Sequence, residues 1–276
     1  TRSISKLEFQ RNAPILIGAF FILVYNHNLT KMIEIRHATI VDSSNSQFAY
    51  DSLYSEGGID LSDSYYLWLL DKIKPIPGKV LVDVSCGRGK LAAFARTRGL
   101  NVIGLDFSLS AVKVAQQTDP DLDLIIGDGE QIALKEQCAD YVTHIGNLEH
   151  YQNPSLGVQE VARILKPDGT AIILLPNGFS IAGNVQHVRR TGRVFDDGQP
   201  IQRYNTRHGW QDLLEANGLI VVRTIKYEHF FPRTKQDWLS HLRRPSRLLR
   251  WVVAWAIPFN LSNCFVYFCR RSSSAE

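Results

Sequence analysis

The sequence predicts an α/β protein, in which strands and helices alternate along the chain. Short apolar runs recur between residues 80 and 175, and segments with apolar residues at helical spacing separate them. A glycine turn joins the first of these runs to the helix that follows it. Hydrophobic residues make up 45% of the 276 residues, a share ordinary for a globular protein, which excludes wholesale disorder.

Residues 79–95 hold the clearest strand, turn and helix start. The apolar run at residues 80–84 carries Asp83, and the turn after it reads Ser-Cys-Gly-Arg-Gly before a helical pattern begins. Gly87 and Gly89 would let a ligand approach the backbone closely, and the free amides at the helix start offer it hydrogen-bond donors. The stretch therefore predicts a site for a nucleotide-like ligand.

The glycines alone do not identify that ligand. Gly87, Gly89 and Ala92 also fit the fingerprint of a dinucleotide site, which would take a nicotinamide cofactor. Asp83 lies at the strand end facing the turn, where its charge would repel a pyrophosphate and attract an ammonium or sulfonium group. S-adenosylmethionine (SAM) carries both cations and no phosphate, so we expect SAM.

Residues 78–176 resemble the class I SAM-dependent methyltransferases. In that family an acid and one further residue precede Gly-x-Gly-x-Gly, and here a serine replaces the first glycine. The resemblance implies a Rossmann-like α/β fold, with a mostly parallel seven-stranded sheet and helices on both faces, and SAM as the cofactor. The cofactor-binding residues that it implies around the turn are Asp83, Ser85, Cys86, Gly87 and Gly89.

A second acid follows the next predicted strand, at residues 101–105. Asp106 comes about 20 residues after the glycine turn, the spacing at which an acid accepts hydrogen bonds from both ribose hydroxyls. Phe107 beside it would stack on adenine, with a plain core aromatic as the alternative.

A third acid follows the predicted strand at residues 122–126. By resemblance, Asp128 accepts a hydrogen bond from the adenine amino group, and the amide of Gly129 or Glu130 meets a ring nitrogen. Acids after three successive strands form an ordered set that no single motif provides.

Residues 139–145 are a predicted fourth strand, and residues 146–150 are expected to line the place where cofactor and methyl acceptor meet. Ligands of open parallel sheets lie beyond the carboxyl ends of the strands. We count Asn147 among the cofactor-binding residues. His150 suits the role of general base for a hydroxyl acceptor, and the alternative is that it only shapes the pocket.

No metal site is predicted. The four cysteines have neither CxxC nor zinc spacing, which also gives no disulfide framework and indicates a reducing, cytoplasmic compartment. Some ubiquinone-type O-methyltransferases of the resembled family hold a metal with an additional acid, and the corresponding position here is Gly146.

Two insertions, at residues 178–205 and 227–262, are expected to form a cap over the acceptor site. The first is predicted as a long basic loop that either clamps a phosphate or carboxylate or is simply solvated. Its candidate substrate-binding residues are His187, Arg189 and Arg190. In the second, residues 245–256 combine arginines with tryptophans, which is typical either of a helix on an anionic membrane surface or of an ordinary cap helix.

The domain is predicted to cover residues 50–276, with an N-terminal extension at residues 1–49. Residues 1–31 contain an apolar run shorter than a membrane span needs, and Met32 follows them. For this segment we favour a misassigned start site or a buried hydrophobic segment over secretion. The net charge of +4 is mild and does not by itself suggest nucleic-acid binding.

The predicted function is methyl transfer from SAM to a hydroxyl group of a small molecule, either anionic or lipid-linked, with an amine or a carbon atom as the alternative acceptor. The expected location is the cytoplasm, with peripheral membrane contact if residues 245–256 bind lipid. Two alternatives stay open: a SAM-binding partner protein without catalysis, and an NAD(P)-dependent oxidoreductase.

Overall fold

The computed structural model describes residues 20–21, 32–37, 43–55, 58, 61–228, 231–243 and 254–272. Its strands are β1 (Phe20–Phe21), β2 (Ile33–Arg36), β3 (Val80–Val84), β4 (Asn101–Asp106), β5 (Asp123–Ile126), β6 (Ala139–Ile145), β7 (Leu165–Pro176), β8 (Ile201–Tyr204), β9 (Leu219–Tyr227) and β10 (Cys264–Arg271). Its α-helices are α1 (Ser43–Ser55), α2 (Asp63–Ile73), α3 (Lys90–Thr97), α4 (Leu109–Thr118), α5 (Pro154–Ile164), α6 (Asn184–Thr191), α7 (Arg207–Ala216) and α8 (Lys235–Leu242).

The main sheet has seven strands in the order β5-β4-β3-β6-β7-β10-β9. The first five strands of this order are parallel, and β10 runs antiparallel to both β7 and β9. The predicted Rossmann-like, mostly parallel sheet of seven strands is confirmed.

Helices cover both faces of the sheet. Successive side chains of a buried strand point to opposite faces, so each strand contributes to two apolar layers, and each layer needs a cover of helices. Leu81 points into a core shared with α2 and α3, and its neighbour Val82 points into the opposite core shared with α5 and α7. In β7, Ile172 and Ile173 divide in the same way. The central strands are therefore buried on both sides, and ligands can reach them only at their ends.

A small antiparallel sheet, in the order β1-β2-β8, lies beside the carboxyl end of β6. Strand β8 lies in residues 178–205, where we predicted a loop, and that segment also holds α6. The loop prediction was wrong in this respect because β8 acquires its partner, β2, from a distant part of the chain. All four residues of β8 are buried, and β2 lies inside the segment predicted as an N-terminal extension.

The proposed membrane-contacting segment, residues 245–256, lies mostly outside the described residues. In the part that is described, residues 254–256, the Trp255 residue is 88% exposed. Residues 1–31 also lie outside them except for β1. Within the described part of the chain, no helix combines the length and apolar character that crossing a bilayer demands.

Candidate functional site

A cleft opens where the sheet changes direction, at the carboxyl ends of β3 and β6. The chain leaves β3 toward β4 on one side and leaves β6 toward β7 on the other, and ligands of open α/β sheets bind at such a point. Helix α1 covers the cleft, which contains two adjoining cavities with empty volumes of about 630 and 990 Å³.

The two cavities share Tyr50, Tyr54, Ser85 and Asn147. The other residues of the first cavity are Asp106, Phe107, Asp128, Gly129, Glu130, His150, Tyr151 and Gln152. Those of the second include Asp83, Cys86, Gly87, Arg88, Tyr66, Ile145, Glu149, Leu174, Gln199, Tyr227 and Cys264. The structure therefore brings together the predicted cofactor-binding residues except Gly89.

The glycine turn is shaped by contacts on both of its sides. Gly87 has φ +53°, and a Cβ there would lie 2.8 Å from the Tyr54 hydroxyl, so no side chain fits between the turn and α1. Gly89 has φ +71°, and its Cβ would lie 2.8 Å from Cβ of Ala115 in α4. Gly89 lines neither cavity, and the absence of a side chain there lets the turn pack on α4.

Asp106, at the end of β4, holds the turn and also faces the first cavity. Its Oδ2 accepts a hydrogen bond from the Gly87 amide (2.7 Å), and its Oδ1 accepts one from the Ser108 amide (2.9 Å). Burial raises the pKa of its carboxyl group to about 6, against the lowering effect of these amides.

Asp83 lies at the floor of the second cavity. Its Oδ1 accepts a hydrogen bond from the Thr143 hydroxyl on the neighbouring strand β6 (2.7 Å). Burial raises the pKa of this carboxyl group to about 7, and the nearby Asp106 raises it further. A buried carboxyl group with a raised pKa is one that a bound cation would stabilise in its charged form.

The acids after β5 lie at the far side of the first cavity. Asp128 Oδ1 accepts a hydrogen bond from the Glu130 amide (2.8 Å), which closes a tight turn. Gly129 faces Tyr151, and a Cβ at this position would overlap the Tyr151 hydroxyl. Burial raises the pKa of Glu130, whose Oε1 accepts a hydrogen bond from the Asn153 amide (2.9 Å).

The segment after β6 ties the turn to the small sheet. Asn147 donates hydrogen bonds from its side-chain amide to the carbonyls of Ser85 (3.1 Å) and Ile145 (3.0 Å). His150 Nδ1 lies 2.5 Å from the Ile201 carbonyl oxygen, which only accepts, so Nδ1 carries a proton. Burial lowers the pKa of His150, which leaves a neutral ring with its lone pair on Nε2.

Glu149 is the main residue of the site that we did not predict from the sequence. Glu149 lines the second cavity, and its Oε2 is buried with no hydrogen-bond partner among the described residues. Burial raises the pKa of Glu149 to about 8. An acid in a short helical turn points either to solvent or inward, and no local pattern of residues distinguishes the two.

The remaining predicted residues occupy plainer positions. Phe107 packs edge-on against Tyr50, with their ring centroids 6.5 Å apart. Burial raises the pKa of the Cys86 thiol well above its usual range, which disfavours the reactive thiolate. Among the described residues, no group of three or more histidine, cysteine or acidic side chains is placed to hold a metal ion.

A third cavity lies beside the second and shares Cys264 with it. Two of the predicted substrate-binding residues, His187 and Arg190 on α6, line this cavity. Arg189, the third, is exposed and does not line it. The predicted anion clamp is thus separate from the cofactor side of the cleft.

The residues present fit SAM better than a phosphate-bearing cofactor. Asp83, Asp106 and Asp128 all line the cleft, and the first two are buried with raised pKa values, so a cationic ligand would offset the cost of ionising them. Because Gly87 carries no side chain, the backbone of the turn can be approached closely, as the Tyr54 hydroxyl approaches it here.

Known proteins resemble this chain in sequence and in fold. Residues 82–173 match a family model described as a methyltransferase domain. A ubiquinone biosynthesis O-methyltransferase of Photobacterium profundum is 35% identical over 174 residues, which are 59% of this chain and 72% of that protein. A demethylmenaquinone methyltransferase of Renibacterium salmoninarum is 31% identical over 105 residues, 38% of this chain and 44% of that protein.

The chain spans about half the length of the first curated relatives that it matches, 44% and 56% of two demethylmenaquinone methyltransferases. In fold, it is similar to the crystal structure of a SAM-dependent methyltransferase from Mesorhizobium loti, with a TM-score of 0.55 and 17% identity. That similarity covers 78% of this chain and 100% of the other. The chain belongs to the class I SAM-dependent methyltransferases, and its cofactor is SAM.

Proposed function

We propose that this protein transfers a methyl group from SAM to a hydroxyl group on an aromatic ring. The observation that carries the proposal is the lining of the second cavity, which joins cofactor-binding residues to an apolar and aromatic surface. The turn residues Ser85 and Gly87 form one end of it, and Tyr66, Leu174 and Tyr227 lie among its other lining residues. A flat apolar ring suits such a surface.

In this proposal each acid has a separate task. Asp83 balances the charge of the methionine ammonium group, and Asp106 and Asp128 hold the ribose and adenine. When bound, SAM supplies an electrophilic methyl group on a positively charged sulfur atom. Helix α1, through Tyr50 and Tyr54, closes the cleft against water, so the protein's contribution is alignment in a dry site.

The curated relatives support an aromatic acceptor. Their names refer to menaquinone and ubiquinone, and only the ubiquinone relative is named as an O-methyltransferase. We extend the common element, a quinone-type ring, to the present protein, and take the hydroxyl acceptor from the ubiquinone relative alone.

The third cavity supports a polar or anionic substituent on that ring. It adjoins the second cavity at Cys264, and His187 and Arg190 line it. A carboxylate or phosphate reaching this cavity would meet the Arg190 guanidinium group. This retains the anionic acceptor of the sequence-based prediction.

The test is a product assay with isotopically labelled SAM. Catechol, a long-chain alkylcatechol and 3,4-dihydroxybenzoate are offered in parallel with an aliphatic alcohol and a primary amine, and products are identified by mass spectrometry. We expect methyl ethers of the aromatic hydroxyls, with Arg190→Ala weakening only the use of the carboxylated ring. Methylation of the amine or the aliphatic alcohol alone would contradict the proposal. Binding of SAM without turnover, on these compounds and on a cell extract, would favour the non-catalytic partner protein.

A further inference from the structure

Glu149 stands out because a buried carboxyl group lacks a partner for one of its oxygens. Its side chain is 7% exposed, and Oε2 has no hydrogen-bond partner among the described residues. Buried polar atoms are normally hydrogen-bonded, since an unsatisfied one costs free energy. Glu149 also lines a ligand cavity, so a partner for its buried carboxyl group can arrive with the ligand.

The position of Glu149 relates it to both substrates. It lines the same cavity as Asp83, Ser85 and Gly87, where the methionine part of the cofactor is expected, and as Tyr227, on the acceptor side. Oε1 of Glu149 lies 3.9 Å from Nε2 of His150.

His150 itself is less well placed to meet the acceptor. Its Nδ1 is held by the Ile201 carbonyl, and its ring lines the first cavity rather than the second. Its free nitrogen, Nε2, lies on the side of Glu149. The general base that we expected at His150 is therefore better assigned to the residue before it.

We propose that Glu149 accepts the proton of the acceptor hydroxyl group during methyl transfer. The O–H proton passes to a Glu149 carboxylate oxygen while the hydroxyl oxygen forms a bond to the methyl carbon. The carbon–sulfur bond breaks, and its electron pair stays on sulfur, which becomes a neutral thioether. The proton then leaves Glu149 for solvent. This assignment rests on the proposed function.

The surroundings of Glu149 set when it can act as a base. Its pKa is raised to about 8, mainly by burial and also by the charge of Asp197, while the Arg203 guanidinium group acts to lower it. The other titratable groups near it are His150, Tyr50, Tyr204 and Cys264. A positively charged sulfur bound in the same cavity would favour the carboxylate and so prepare the base only when the methyl donor is present.

The first test measures the ionisation of Glu149 by NMR of protein labelled with ¹³C at the glutamate carboxyl carbons. Glu149→Gln identifies the signal, and Glu149→Asp serves if the Gln variant does not fold. Without ligand we expect a titration midpoint of about 8. With SAM the midpoint should fall by about one unit or more, whereas S-adenosylhomocysteine, which lacks the methyl group and the positive charge, should lower it less.

The outcomes separate the inference from the proposed function. Equal midpoints with the two ligands would mean that Glu149 does not face the sulfur atom, and would overturn the inference alone. Failure of both ligands to bind would overturn the proposed function as well.

The second test measures turnover of the aromatic hydroxyl acceptor found in the product assay. Glu149→Gln should lower the turnover rate about 100-fold or more and remove its rise with pH. It should weaken SAM binding little at pH 7 and about tenfold above pH 8, the factor that one unit of midpoint shift implies. The matched control is Glu136→Gln, which alters an exposed glutamate and should leave all three quantities unchanged. Unchanged turnover and an unchanged pH profile in Glu149→Gln would overturn the inference.

Discussion

Asp106 combines a structural and a ligand-binding task in one side chain. Its two carboxylate oxygens accept hydrogen bonds from the Gly87 and Ser108 amides, and the same group faces the first cavity. The turn and the following helix are thus held in place by the residue that we expect to bind the ribose. A change here affects the shape of the cofactor site as well as its charge.

Replacing Asp106 by asparagine tests this double role. An asparagine offers one acceptor oxygen, so its NH₂ group would face one of the two backbone amides. We expect SAM to bind at least about tenfold more weakly and the free energy of unfolding to fall by about 1–3 kcal/mol. Calorimetry and urea denaturation measure the two effects. Asp168→Asn, at an exposed position, is the control. Wild-type affinity in Asp106→Asn would show that this carboxylate does not contact the cofactor.

The sequence predicted the acids of the site but not all of their surroundings. Asp83, Asp106 and Asp128 each follow a strand, and parallel strands bring such positions to one edge of the sheet. The role of Gly89 depends on Ala115, and the ring orientation of His150 depends on Ile201. Both are contacts across the fold, which local pattern and spacing cannot reveal.

At the scale of elements, helix α1 is attached to the start of α4 by polar contacts. Asp51 Oδ1 accepts hydrogen bonds from the Ser108 hydroxyl (2.6 Å) and the Ser110 amide (3.1 Å). Gln47 donates one to the Phe107 carbonyl (2.9 Å). Because α1 is mostly polar and has no strong apolar stripe, these contacts rather than intrinsic propensity hold it over the cleft. For the same reason the sequence did not predict a helix over its full length.

Removing the Asp51 carboxylate should loosen this cover. Asp51→Ala loses two hydrogen bonds, each worth about 1 kcal/mol, so α1 should open more often. We expect faster amide hydrogen exchange in residues 43–55 and faster dissociation of SAM, with little change in the exchange of the β3 and β6 amides. Ser52→Ala, at an exposed position of the same helix, is the control. Equal exchange in wild type and Asp51→Ala would show that other contacts hold α1.

Arg203 joins the small sheet to the segment after β6. Its guanidinium group donates to Glu34 Oε2 (2.7 Å) and to the backbone carbonyls of Glu149 (3.3 Å), Tyr151 and Gln152 (3.3 Å). We had grouped this arginine with the basic loop, but it is buried and its hydrogen-bond partners lie within the fold. It therefore supports the segment that carries Glu149 and His150.

Arg203→Met keeps much of the side-chain volume and removes the charge. It leaves Glu34 with one fewer buried partner and the carbonyls unsatisfied, so the free energy of unfolding should fall by about 2–4 kcal/mol. Urea denaturation measures this loss. Arg189→Met, at an exposed position of α6, should change it by less than about 0.5 kcal/mol. A loss as small as that of the control would mean that the small sheet is held by other contacts.

At the scale of the whole molecule, the sheet order concentrates ionisable groups in a low-dielectric cleft. A seven-stranded sheet was predicted, but the pairing of β2 with β8 was not, because neither four-residue strand is distinctive alone. That pairing buries the turn after β6 and with it Glu149 and His150. The raised pKa values of the site are thus a property of the complete fold.

These buried groups make the stability of the protein depend on pH. Asp83 and Glu149, with pKa values of about 7 and 8, bind protons in the folded state at pH values where unfolded carboxyl groups have lost them. Their contribution to the free energy of unfolding is fully present below about pH 4 and is lost as the pH rises through 7 and 8. Burial lowers the pKa of His144 and His150, so these two act in the opposite direction, but only below about pH 6.5, where unfolded histidines become charged.

Above pH 7 the carboxyl groups should therefore dominate, and the melting temperature of the unliganded protein should fall between pH 7 and 8.5. Saturating SAM should reverse much of this fall, because its positive charges pair with the ionised carboxylates. The increase in melting temperature that SAM causes should therefore grow between pH 7 and 8.5. Differential scanning calorimetry with and without SAM measures both effects. Asp83→Asn keeps an acceptor for the Thr143 hydroxyl but cannot ionise, so it should show a smaller fall and a weaker, less pH-dependent stabilisation by SAM. A melting temperature that rises from pH 7 to 8.5 without ligand would contradict the assignment of buried, protonated carboxyl groups to the cleft.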